Sequence, residues 1–334
     1  MDILWETVCG TTRGHLHKEH GLPNQDAYRQ GPNHQLGSPV VAVADGHGDP
    51  RAFRSQIGSR FACSVAVELL SEIVAASHSD PQNIKGPVQD RLPKNLHQRW
   101  REAVMAHFGQ SPFAPAEMST AIEKYGEDVL RKLESNPFRA YGTTLLAVAV
   151  HPEFILTLQI GDGDLLVVGS NGAVARPIAA DPRLIANETT SLSSGDAWKD
   201  IRVSYQRITN SPPALLLACT DGYSNAFRES DLEAVAVEWV AAIQTDGVEE
   251  VRDYLPESLA EASMRGSGDD TTLAMIYRTN TDPAAFAAVA DALNAEPETP
   301  NLVDETEAPE LPTGTSAPSD ELDTNHQEEP ECSE

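Results

Sequence analysis

Residues 41–50 read VAVADGHGDP, a short apolar run that stops at Asp45 and turns through Gly46, His47 and Gly48. A run of that length closed by Asp-Gly predicts a buried strand whose end carries a carboxylate. The same arrangement recurs further along. Asp162 follows LTLQIG, Asp221 follows LLLACT and precedes Gly222, and Asp269 and Asp270 precede TTLAMIY. Strands are predicted over residues 38–45, 142–150, 153–160, 164–170, 213–221 and 271–277, each an apolar or alternating run bounded by Gly, Pro or Asp. Helices are predicted over residues 51–76, 96–108, 116–133 and 232–243 from apolar residues at helical spacing. The order is a strand, then helices, then adjacent strands with hairpin-like links at HPEF and GDGD. A doubly wound parallel sheet would alternate strand and helix instead. The pattern predicts an α+β fold in which antiparallel β-sheets pack on each other and are covered by helices.

The chain has 334 residues and a formal net charge of -27. That balance argues against nucleic acid or an anionic membrane as partner, because both are bound by clustered Lys and Arg. From Thr281 onward there is no Lys or Arg and about 15 carboxylates accumulate among Pro, Ser and Thr, which supply more than half of the net charge. The expected organisation is a catalytic domain over residues 1–280 and an acidic, Pro-rich, disordered tail over 281–334, with a short helix possible in PAAFAAVADALNA. Cys9, Cys63, Cys219 and Cys332 form no CxxC pair, and no segment has the apolar length of a membrane span. A reducing cytoplasm and no membrane association are expected.

Taken singly, each Asp-Gly is an ordinary turn, since Asp caps its own backbone and Gly accepts positive φ. Asp246-Gly247, which follows a helical run, is read that way. The others form a joint pattern, because strand ends of one sandwich converge on one rim. Carboxylates brought there from distant parts of the chain can supply the several oxygen ligands that a hard divalent cation needs.

Six segments in order, PNQDAY (23–28), VAVADGHGDP (41–50), YGTTLLAV (141–148), QIGDGDLLVV (159–168), LLLACTDGYSN (215–225) and GSGDDTTLAMIY (266–277), carry a resemblance. They resemble the type 2C metal-dependent Ser/Thr protein phosphatases, and the Gln-Asp-Ala at 25–27 and Gly-x-x-His at 14–17 are similar to a bacterial branch of that family. The resemblance implies a central sandwich of two antiparallel β-sheets flanked by helices on both faces, a four-layer αββα fold, and hydrolysis of phosphoserine and phosphothreonine in proteins by a water that bridges two Mn2+ or Mg2+ ions. It implies Asp45 as the carboxylate shared by both ions, the Gly46 carbonyl on one, and Asp221 and Asp269 on the other. A partner Ser/Thr kinase would supply the phosphoprotein.

Where many members have an acidic residue before the aspartate that Asp26 resembles, this chain has Gln25, which would act through water. His17 stands where other members place a phosphate-binding Arg, with Arg13, His15, Lys18 and His20 as neighbours that compete for the role. His47, two residues from Asp45, could protonate the departing serine oxygen. Asp162 and Asp270, with Gln25 and Asp26, are assigned to support of the site. Residues 137–140, PFRA, offer no carboxylate for a third ion. Two other readings stand beside the phosphoprotein phosphatase: a phosphoprotein-binding pseudophosphatase, favoured by Gln25, and a hydrolase of small phosphate esters.

Overall fold

The computed structural model describes residues 4–31, 37–77, 85–179, 181, 189–208, 211–281 and 286. The first sheet has the order β1 (Trp5–Thr12), β10 (Thr271–Arg278), β9 (Leu215–Cys219), β6 (Asp164–Val168) and β7 (Val174–Ala175). The second has the order β2 (Ala27–Gln30), β3 (Val40–Ala44), β4 (Leu145–His151), β5 (Phe154–Ile160) and β8 (Arg202–Arg207). Every neighbouring pair is antiparallel.

Period-two alternation in the central strands divides the interior into three apolar layers. Val40, Ala42 and Ala44 of β3, with Leu145, Ala147 and Ala149 of β4, share a cluster with residues of α2 (Ser55–Ser77) and α3 (Lys85–Gln110). Val41, Val43, Leu146 and Val148 point the other way and meet Leu216, Ala218, Ala274 and Ile276 of the opposite sheet. The outer face of that sheet, with Leu215, Leu217, Leu273 and Met275, is covered by α7 (Glu229–Asp246) and α8 (Val248–Arg265). Along α8 the buried residues Val251, Leu255, Leu259 and Ala262 keep one helical face toward the sheet. The result is the four-layer αββα sandwich.

The β4–β5 link is a hairpin, with His151 opposite Phe154. The GDGD link is not: it carries the chain from β5 in one sheet to β6 in the other, so it is a crossover between layers. The helical run expected over 116–133 is split into α4 (Ser119–Tyr125) and α5 (Asp128–Ser135) by Gly126, whose φ of 76° no helix accommodates. The segment expected from residue 96 begins at Lys85 and runs through Pro93. The strands β1, β2, β7 and β8, the short helices α1 (His15–Glu19) and α6 (Asp221–Ser224), and α8 were not predicted.

Residues 1–295 form one compact unit, and the second, 296–334, lies outside the described residues. Of the possible helix in PAAFAAVADALNA only Phe286 is described; it is helical, 1% exposed, and belongs to the apolar cluster beneath α7 and α8. No helix among the described residues is long and apolar enough to cross a membrane.

Candidate active site

Register brings the carboxylates together. In the second sheet Ala27 pairs with Ala44, so Asp26, just before β2, and Asp45, just after β3, end adjacent strands at the same edge. In the first sheet Leu273 pairs with Cys219, which sets Asp269 and Asp270, before β10, next to Asp221, after β9. Asp221 opens the short helix α6 (Asp221–Ser224). Asp162 arrives from the crossover between the sheets.

Asp45, Asp162 and Asp221 each present a carboxylate oxygen within 4.8 Å of the other two. His17, Asp269 and Asp270 form a second such group. Asp162, read from sequence as support, thus stands in the first group, whereas Asp269 stands beside His17. The Asp45 carboxyl is pushed well above its ordinary range, by burial first and then by the charges of Asp26, Asp221, Asp269 and Asp162. Burial and the charges of Asp162 and Asp269 push Asp221 up to about 6. Crowded carboxylates of this kind are costly as anions and are relieved by a bound cation.

The backbone of Asp45 is fixed by residues 143 and 144. Its N–H donates to Thr144 Oγ1 at 3.0 Å, and its carbonyl accepts from Thr143 Oγ1 and the Thr144 N–H, both at 2.8 Å. Gly46 bridges Thr143 and packs so tightly that a Cβ would sit 2.5 Å from the Gln25 carbonyl oxygen. It is buried, and its own carbonyl accepts no hydrogen bond among the described residues. An all-oxygen donor set with an orphaned carbonyl fits Mg2+ or Mn2+ and does not fit a soft metal.

Asp270 is 2% exposed and acts as a hub. Its Oδ1 accepts from the Gly14 N–H at 2.7 Å, and its Oδ2 accepts from the Gln25 N–H at 2.6 Å and meets His17 Nδ1 at 2.9 Å. His17 Nε2 lies 3.4 Å from Asp269 Oδ1. The hydrogen bond that Asp270 accepts raises the His17 pKa against the opposing effect of burial. His47 is shifted the other way: burial lowers its pKa, and the charges of Asp162 and Asp49 only partly offset this.

Asp26 is buried between two threonines, and its Oδ2 accepts from Thr220 Oγ1 at 2.8 Å and Thr272 Oγ1 at 2.7 Å. Burial pushes it up to about 7, with the Thr272 bond opposing and the charge of Asp270 adding. Gln25 Nε2 donates to Ser55 Oγ at 2.8 Å, while its Oε1 is buried without a partner among the described residues. Sequence reasoning missed the two threonines, although each lies one or two residues from a singled-out Asp. It also missed Arg51 and Arg139, which line a cavity of about 330 Å³ with His47.

A family model described as protein phosphatase 2C matches residues 13–262. Among solved structures the chain is similar to the catalytic domain of the serine threonine protein phosphatase PstP, solved in complex with two manganese ions. That likeness has 16% identity over 84% of this chain and 100% of that one, with a TM-score of 0.50. A bacterial serine phosphatase is 16% identical over 83% of this chain and 98% of that one, with a TM-score of 0.52. A C. elegans sex determining protein is 17% identical over 85% of this chain and 67% of that one, also with a TM-score of 0.52. At these identities the three establish a shared fold. No curated protein sequence matches the chain. With three quarters of its length matched by one family model, a four-layer sandwich, and carboxylates gathered at one rim, the chain belongs to the protein phosphatase 2C family.

Proposed function

We propose that this protein is a metal-dependent phosphatase that hydrolyses phosphoserine and phosphothreonine in proteins, with two Mn2+ or Mg2+ ions at the carboxylate rim. The observation that carries the reading is the set of Asp45, Asp162 and Asp221, with one oxygen of each within 4.8 Å of the others. The family membership and the two manganese ions of the PstP structure support it.

Asp45, Asp162, Asp221 and Asp269, with the Gly46 carbonyl, would hold the ions. Bound there, a pair of divalent cations neutralises phosphate oxygens and lowers the pKa of the attacking water. The protein's own groups do the rest. Asp270 and the Thr220–Asp26–Thr272 cluster hold the strand ends at fixed spacing. His17, whose pKa is raised by its hydrogen bond to Asp270, stands at the rim to meet a phosphate dianion. His47 is placed to give a proton to the departing serine or threonine oxygen. A Ser/Thr kinase in the same reducing cytoplasm would form the substrate.

The test is hydrolysis of a phosphoserine peptide and of an aryl phosphate, with manganese, magnesium or chelator. Activity is expected only with metal, and Asp45→Asn, Asp221→Asn and Asp269→Asn should each lose at least ~100-fold in kcat/KM, since each removes a charge that holds a cation. Full turnover in chelator, or in Asp45→Asn, would sink the mechanism. Tight phosphopeptide binding without turnover would instead indicate a pseudophosphatase, and turnover confined to small esters would indicate a small-molecule hydrolase.

A further inference from the structure

Two adjoining cavities lie beside His47. One, of about 330 Å³, is lined by His47, Asp49, Arg51, Ala52, Arg139 and Ser193. The other, of about 140 Å³, shares Arg51 and Arg139 and adds Tyr125 and Lys132. The two arginines are in different states. Arg51 is committed: its Nε is 2.8 Å from Asp49 Oδ1, and its guanidinium stacks 4.5 Å over the Tyr125 ring. Tyr125 in turn donates to Asp49 Oδ2 at 2.7 Å, which closes that group on itself.

Arg139 has no carboxylate and no hydrogen-bond partner for its side chain among the described residues, and neither has Lys132. Arg139 is also rigidly presented. It belongs to a one-turn helix, Pro137–Tyr141, in which Pro137, Phe138, Ala140 and Tyr141 are buried and Arg139 alone is exposed. Its carbonyl accepts from the Gly142 N–H at 3.4 Å, and the Gly142 carbonyl accepts from the His47 N–H at 3.1 Å, so the turn is tied to the His47 loop. An uncommitted guanidinium held on a fixed turn, in the wall of the cavity that contains His47, has the free N–H donors that an anion requires. In a chain of net charge -27 it has no other evident electrostatic task.

We propose that Arg139, with Lys132 behind it, is a specificity-determining residue that binds a second anionic group of the phosphoprotein substrate, close in sequence to the phosphorylated serine or threonine. The proposal rests on the phosphatase reading above, in which the scissile phosphate goes to the carboxylate rim and leaves Arg139 for another group. The chemistry required is a carboxylate or phosphate oxygen that can take two guanidinium N–H bonds. An aspartate or glutamate supplies it, and so does a second phosphate.

Three phosphoserine peptides separate the outcomes: one flanked by alanines, one by glutamates, and one carrying a second phosphate. Steady-state kinetics with manganese and fluorescence-anisotropy binding are both measured on the full chain, for wild type, Arg139→Glu, Arg139→Lys and Lys132→Ala. Wild type should prefer an anion-flanked peptide through a lower KM with little change in kcat. Arg139→Glu should reduce that preference by about tenfold, Arg139→Lys should retain part of it, and Lys132→Ala should reduce it modestly. A preference shown only for the doubly phosphorylated peptide assigns the pocket to phosphate; one shared by the glutamate peptide assigns it to carboxylate. If no phosphate ester is hydrolysed, the phosphatase reading fails, and binding alone decides the role of Arg139. Equal handling of the three peptides by wild type, or an unchanged preference in Arg139→Glu, would overturn the proposal.

Discussion

His17 and His47 sit on the same carboxylate rim, yet their surroundings drive them in opposite directions. His17 gains a partner in Asp270, and that hydrogen bond raises its pKa above the ordinary imidazole value. His47 loses solvent, and burial lowers its pKa. A proton donor helps a departing oxygen in proportion to the charge that oxygen develops, so the contribution of His47 should be greatest where the leaving group most needs the proton. His47→Ala is expected to slow a phosphoserine peptide by roughly 100-fold and an aryl phosphate much less, because an alkoxide leaves with nearly full charge and an aryl oxide does not. His17→Ala should raise KM for both substrates with little change in kcat, as expected for a charge felt by the phosphate before reaction. Steady-state kinetics on the two substrates at saturating manganese would decide; equal losses in His47→Ala would reduce that residue to a support of the Asp45 loop.

At the scale of elements, α2 determines how closely the helical layer approaches the site. Gly58 faces the turn at Tyr141 so tightly that an added Cβ would lie 2.0 Å from the Tyr141 carbonyl oxygen, and the Gly58 carbonyl accepts from Trp100 Nε1 at 3.1 Å. Gly86 in α3 has nothing within 4 Å of the same position. Gly58→Ala should therefore destabilise by about 1–3 kcal/mol as overpacking, while Gly86→Ala, at the start of its helix and directly before Pro87, should change stability by no more than about 0.5 kcal/mol. Urea denaturation of the two variants checks the contrast, and an equally small change in both would show that α2 can move away from the turn. The same elements explain what could be read in advance. The strands β3, β4, β9 and β10 were legible because their buried runs alternate between two apolar layers, and all but β4 have an aspartate within two residues of one end. β8 was not, because it is an edge strand of polar residues, RVSYQR, that pairs with β5 alone. α8 was masked by Pro256 and by its many acidic residues, although Val251, Leu255 and Leu259 repeat every four positions. Asp45, Asp221 and Asp269 were legible as strand ends. The company of Asp162 was not, since it depends on the chain crossing between sheets after β5, a long-range fact that no local pattern carries.

For the molecule as a whole, the question is where the folded domain ends. The change of composition suggested residue 280, because Lys and Arg cease there and acidic and Pro residues accumulate. Yet Phe286 is 1% exposed and shares an apolar cluster with Trp239, Val240 and Tyr277, so at least one residue past that point fills the core. Losing a buried aromatic ring typically costs about 3–5 kcal/mol, a large part of the stability of most domains. Residues 296–334, by contrast, are acidic and poor in apolar residues, a composition expected to add little to the stability of the domain. A chain ending at Ala295 should therefore keep its melting temperature and its rate on an aryl phosphate. A chain ending at residue 280 should melt lower by on the order of 10 °C, and Phe286→Ala in the full chain should reproduce most of that loss. Thermal unfolding of the three proteins beside the full chain, with manganese held constant, makes the comparison. Equal melting of all four would place the boundary at 280 and make the burial of Phe286 energetically idle; a large loss at Ala295 would show that the acidic segment packs on the domain.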